Sequence, residues 1–323
     1  MIVKNRSGEN LLTQSKLGVN AQQLKAIKLM LKNLSKIYRF AGVENLTRKN
    51  SVKDHSHQML KLADYIAESL DDDLDKVALR MICLLHDFGE IAGELTVVND
   101  DLNGKKIISS RDKVKIEADV FYIMVNLALD AVKTDNHSLF DRTLESLRVI
   151  VSEDVSRDSF DKHKKLVQED VDFKYLNDIY TEKSLNKMIV TFFKALDRAE
   201  GNIYFCENSE DVDLLDDNFT QKIIEYNMKS LYTSLDKHLG DRQDYINTFK
   251  KVKCLLKAAI RRFKQLSRFT NIGLLDLIGR YYTWGKDEYV YYIKNWTLVD
   301  IFKVFTGQFK VYRKLSDVYN FKG

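Results

Sequence analysis

The chain has 323 residues, enough for one large core or two modest domains, with 45% hydrophobic and 30% charged residues. That balance belongs to a soluble globular protein rather than a disordered one, and no apolar run approaches the roughly 18 residues of a membrane span. Three scattered cysteines, Cys83, Cys206 and Cys254, exclude a disulfide framework or a thiolate zinc site and point to a reducing, cytoplasmic setting.

The net charge of +4 conceals an asymmetry. Residues 241–323 hold 17 basic against 7 acidic residues, leaving 34 against 40 for the rest. A basic end suits an anionic partner or an acidic face of the same chain. Proline is absent, where average usage of about 5% would give around sixteen, so nothing breaks helices from within.

The N-terminus, MIVKNRSGENLLTQ, reads as a short polar tail without the apolar stretch of a secretory signal. From residue 21, Leu24, Ile27, Met30, Leu31, Leu34 and Ile37 recur at helical spacing. A polar connector, GVENLTRKNS, leads to a second helix, VKDHSHQMLKLADYIAESL. Asp71, Asp72 and Asp73 open a third, LDKVALRMICLLHDFGEI, apolar enough to be central, with Cys83 as a small buried hydrophobe. A polar loop over 99–112 precedes helices at about 113–132, 138–152 and 158–180. The strongly apolar SLNKMIVTFFKALDRAEGNIYF follows, and the final third alternates helices with aromatic-rich segments. The fold class is all-α, and the best domain boundary is the break near 235–242.

His86 and Asp87 end an apolar helical run, where charge is costly unless paired or bound to metal. An HD dipeptide also occurs by chance, and a buried histidine paired with its neighbours is the plainer reading. Three further features weigh against that reading. His55 lies one helix upstream, Asp197 is an ionisable residue inside a second apolar helix, and Glu90 shares a helical face with His86 and Asp87 if that helix continues. Mixed His/carboxylate donors suit Mn, Co, Fe, Mg or Zn. Such an ion polarises a phosphoryl oxygen and lowers the pKa of a bound water, whose proton Glu90 could shuttle.

The order H…HD…D resembles the HD-domain superfamily of metal-dependent phosphohydrolases, and within it the 5'-deoxynucleotidase-like branch. YRFAGVENLTRKNSVKDHS is similar to that branch's paired arginines and its Asn-Val-x-Glu-His-Ser lead-in, with Asp54 in place of Glu. HDFGE, KVKIEAD and KALDRAE are similar to its HDxxE, its Lys…Glu-x-Ala pattern and its closing Lys-Ala-x-Asp. The resemblance covers roughly 25–205. It implies an HD-type helical bundle with an insertion near 135–180; the domain reading gives that core 1–235 and, since the last 80 or so residues match no part of the family, assigns 236–323 to a basic, aromatic-rich extension of additional C-terminal helices. The resemblance further implies one divalent metal ion held by His55, His86, Asp87 and Asp197, with Glu90 as catalytic acid/base and Arg39 and Arg48 on substrate phosphate. The branch's Asp after HDxxE is missing; Glu94, in GEL, is the candidate replacement.

The implied activity is hydrolysis of small nucleotides, most directly nucleoside 5'-monophosphates. The alternatives are another phosphate link (triphosphate, alarmone, cyclic nucleotide or nucleic acid) and a degenerate site used for nucleotide sensing or scaffolding. Nucleic acid is a conceivable partner of the basic end, where rings such as Tyr281, Trp284 and Trp296 could stack on bases, although packing between helices or in a homodimer is the simpler use. His57 points away from His55 on a helix, and His137, His163 and His238 sit in polar contexts. Glu117 could approach the pocket from its helix, although a solvated face is the plainer reading. No P-loop, dinucleotide-binding glycine motif, nucleobase-deaminase signature or nucleophile elbow is present.

Overall fold

Helix dominates the computed structural model, which describes residues 1–39, 50–93, 96–97, 107–108, 110–153, 174–208 and 238–266. The all-α expectation holds, since the strands among these residues are two-residue pieces in two small sheets. No helix among them is long and apolar enough to cross a membrane. Contacts divide the chain into two compact units: residues 1–44 with 48–190, and residues 45–47 with 191–323. The expected boundary near 235–242 remains a proposal.

The first unit begins with an N-terminal arm and α1 (Gln14–Leu17). The arm is not the expected polar tail. Val3, Leu11 and Leu12 are buried, Lys4 and Asn10 form a β-bridge, and Asn5 Nδ2 donates to Asp64 at 3.0 Å. Asp64 is itself buried. It receives Arg80 Nε at 2.9 Å, while Lys16 Nζ stands 3.6 Å away, so its charge has three partners.

Helix α2 (Ala21–Leu34) starts at a capping box, with Gln23 N donating to Asn20 Oδ1 and Asn20 N donating to Gln23 Oε1. Strands β1 (Tyr38–Arg39) and β2 (Asn50–Ser51) pair antiparallel, Arg39 opposite Asn50. That pairing leads directly into α3 (Val52–Ala67), whose first amide donates to the Ile37 carbonyl at 2.9 Å. Ser51 caps α3 by accepting from Asp54 N, and its hydroxyl donates to Asp54 Oδ2 at 2.8 Å. Asp54, the residue expected as Glu, is thus spent on the helix start.

Helix α4 (Asp73–Leu85) is capped by Asp72 and packs on α3. The helix expected over 74–91 stops at Leu85, and a 3₁₀ turn over Phe88–Ala92 follows. Beyond it, β3 (Thr96–Val97) and β4 (Ile107–Ile108) pair in parallel, the second inside the expected loop. Helices α5 (Ser110–Thr134) and α6 (His137–Glu153) pack on each other and on the 3₁₀ turn. Of the helix expected over 158–180, α7 (Lys174–Tyr180) is described, and the remainder lies outside the described residues. Phe88, Phe121 and Phe140 are fully buried, each worth about 1.5–3 kcal/mol of apolar transfer, and Phe88 meets Phe121 edge to face at 6.5 Å.

Helix α8 (Lys187–Asn208) contains the point at which the two units divide. The second unit holds its greater part and α9 (Gln243–Leu266). There Phe192 meets Tyr245 edge to face at 6.1 Å, and the Arg242 guanidinium lies 3.8 Å over the Tyr245 ring while pairing with buried Asp244. The aromatic cluster at 281–296 lies outside the described residues.

Candidate metal centre

The end of α4 supplies the chemistry. His86 is the C-cap, its amide donating to the Ile82 carbonyl. A continuing helix would give the Cys83 carbonyl to the amide of residue 87. Instead that carbonyl lies 3.2 Å from His86 Nδ1 and accepts its proton. With Nδ1 turned to that carbonyl, Nε2 is the ring nitrogen that His86 presents to the centre.

That nitrogen faces His55 from α3, whose side chain is fully buried. The two Nε2 atoms are 3.2 Å apart, with the rings edge to face. Asp87 completes the cluster, one carboxylate oxygen 3.4 Å from His55 Nε2 and the other 3.3 Å from His86 Nε2. Two imidazole nitrogens and a carboxylate converging at this distance fit a divalent cation by donor type. A ring nitrogen held by a backbone carbonyl is the usual support of a metal-ligating histidine. Asp197, the fourth ligand expected from the sequence, belongs to the second unit. Asp197 is partly exposed on α8.

The electrostatics set two carboxylates apart. Burial pushes Asp87 up, but the His86 charge and hydrogen bond, then His55 and Arg39, outweigh it and hold the carboxyl well below its usual range. Glu90 goes the other way. Burial first, then the Asp87 charge and later Glu117, raise it to about 8 against Lys113 and Arg39. Glu90 sits in the 3₁₀ turn, its amide donating to the Asp87 carbonyl, so it reaches the cluster by a different geometry from the continuous helix expected.

Helix α5 adds what sequence reasoning missed. Glu117 is largely buried at 15% exposure, rather than part of a solvated face, and burial raises it to about 7, against Lys113. Lys113 Nζ lies 3.4 Å from Glu117 Oε1 and 3.7 Å from Glu90 Oε1. The missed signal was KVKIE itself, in which Lys113 and Glu117 are four residues apart on one helical face. Behind the 3₁₀ turn, Tyr180 from α7 stacks on Phe121 at 4.1 Å and accepts a hydrogen bond from the Gly89 amide. A Cβ at Gly89 would collide with the Tyr180 hydroxyl and the Glu117 backbone carbonyl, so only glycine lets the turn approach α5 this closely.

Of the residues chosen from the sequence, His55, His86, Asp87 and Glu90 come together. Arg39 stands in β1, near enough for its charge to act on both Asp87 and Glu90. Arg48 and Glu94 lie outside the described residues. Cys83 is buried, as expected, and His137 is exposed. His57 is half-buried, its Nε2 without a hydrogen-bond partner, and burial lowers its imidazole to about 4.

Residues 52–168, rather more than a third of the chain, match the family described as HD domain. Such domains are in general metal-dependent phosphohydrolases, and the match spans His55, His86, Asp87, Glu90, Lys113 and Glu117, while Asp197 lies past its end. No curated protein and no solved structure matches the chain.

Proposed function

We propose that the protein is a metal-dependent phosphohydrolase of small nucleotides, most directly of nucleoside 5'-monophosphates. The observation that carries this reading is the convergence of His55, His86 and Asp87, with Glu90, whose carboxyl burial and the Asp87 charge push up, beside them. One divalent ion (Mn, Co, Fe, Mg or Zn) would be held by these three donors and Asp197, and would supply Lewis acidity toward a phosphoryl oxygen. Glu90 can give its proton to the leaving alkoxide and take one from an attacking water. Arg39, with Arg48, presents the planar guanidinium fork that matches phosphate oxygens. Glu94 is proposed to orient the water.

The basic balance of residues 241–323 favours one second reading, cleavage of a nucleic-acid backbone at the same centre. A phosphate-release screen over nucleotides, each with Mn, Co, Mg or Zn, tests the first. Release from 5'-monophosphates that Asp87→Ala abolishes and Arg39→Ala weakens is the expected result. A protein loaded with Mn that frees no phosphate from any nucleotide refutes it, and strand cutting by that same protein would establish the second.

A further inference from the structure

Lys113 and Glu117 bring an ammonium and another carboxylate to the centre, and no role assigned so far uses them. An exposed Lys/Glu pair at this spacing is an ordinary helix-surface contact worth a few tenths of a kcal/mol. This one differs in two respects. Both side chains are largely buried, and the ammonium also reaches Glu90, which comes from the 3₁₀ turn rather than from α5. Lys113 therefore ties the turn to the helix through charge, while Gly89 lets the two backbones meet.

We propose that Lys113, clamped by Glu117, is a positioning residue that holds the Glu90 carboxyl and takes the place of a second metal ion, so that the centre binds one divalent cation. The proposal rests on the metal-centre reading above and goes beyond it. Two-metal phosphohydrolase centres keep their ions about 3.5–4 Å apart, so a second ion would need further donors close to Asp87. Here the carboxyls that feel the Asp87 charge are those of Glu90 and Glu117, and both already face one ammonium, at 3.7 and 3.4 Å. A lysine ammonium is a compact point charge with three donors, so it can serve two carboxylates and repel a divalent ion from the same space. The pull of Glu117, Glu90 and Asp87 outweighs burial and keeps Lys113 charged.

The test uses the full chain, stripped with a chelator, reloaded with excess Mn²⁺ and desalted. Metal content is read by mass spectrometry and the Mn²⁺ spectrum by electron paramagnetic resonance. Wild type is expected to hold about one ion with an uncoupled spectrum. Lys113→Ala and Lys113→Met are expected to hold about two, with the signature of a spin-coupled pair. Lys113→Arg should stay at one, and Lys113→Ala combined with Glu117→Gln should return to one because a donor is gone. A merely structural lysine would not change the stoichiometry. Two ions in wild type overturn the proposal without any variant. So does a single ion in a folded Lys113→Ala or Lys113→Met protein. A wild type that takes up no Mn²⁺ overturns the metal centre itself, a different readout from either.

Discussion

Replacing Asp64 by alanine isolates what the buried charges at the α3–α4 junction contribute. The Asp64 side chain is 3% exposed and that of Arg80 9%, and Arg80 Nε meets Asp64 Oδ1 at 2.9 Å. Removing the carboxylate leaves a guanidinium buried without its counter-charge, which costs about 3–5 kcal/mol. The hydrogen bond from Asn5 and the Lys16 charge are lost in the same step, so the N-terminal arm should loosen as well. Urea unfolding followed by circular dichroism reads the change as a lower midpoint. Lys76→Ala, which breaks a pair with the exposed Asp73, should leave the midpoint where it is. Joint replacement, Asp64→Leu with Arg80→Met, should recover most of the loss, because no orphaned charge remains. Equal midpoints for Asp64→Ala and Lys76→Ala would refute the reasoning, as would a double variant no better than Asp64→Ala.

Gly89→Ala should lower the thermal midpoint at a cost of about 1–3 kcal/mol, since two of the three atoms its Cβ would meet belong to the Glu117 backbone carbonyl, which cannot rotate away; an unchanged midpoint would show that the turn has room to shift. The metal-free protein should lose stability as pH rises from about 4.5 to about 8. In that window the unfolded chain releases the Glu90 proton while the folded chain keeps it, so the unfolded state binds fewer protons and the slope is negative. Glu117, raised to about 7, acts in the same direction over a shorter range. The midpoint difference between Glu90→Gln and wild type should therefore grow with pH in Glu90→Gln's favour; a constant difference would rule out the raised carboxyl.

The sequence made the ligands legible because helices repeat: His55 in KDHS and His86-Asp87 after an apolar run lie on elements whose faces can be counted. Where α4 ends was hidden, since neither glycine nor proline stands at Leu85–His86, and the stop depends on the turn's contacts with α5 and α6. The arm was misread because Asn5, Glu9 and Asn10 mask the spacing of Val3, Leu11 and Leu12, and no helical or strand period links them. Glu117 was misread for the opposite reason. Its period is clear, but a Lys/Glu pair four apart looks the same on a solvated surface as in a buried cleft.

The arm also sets an order of events during synthesis. Asn5 emerges 59 residues before the Asp64 that it binds, and Arg80, the third member of that cluster, emerges later still. At typical elongation rates of about 5–20 residues per second, the arm waits several seconds with Leu11 and Leu12 uncovered. Until α3 and α4 are complete, that apolar segment lacks its Asp64 anchor and is a part of the nascent chain that a chaperone would find.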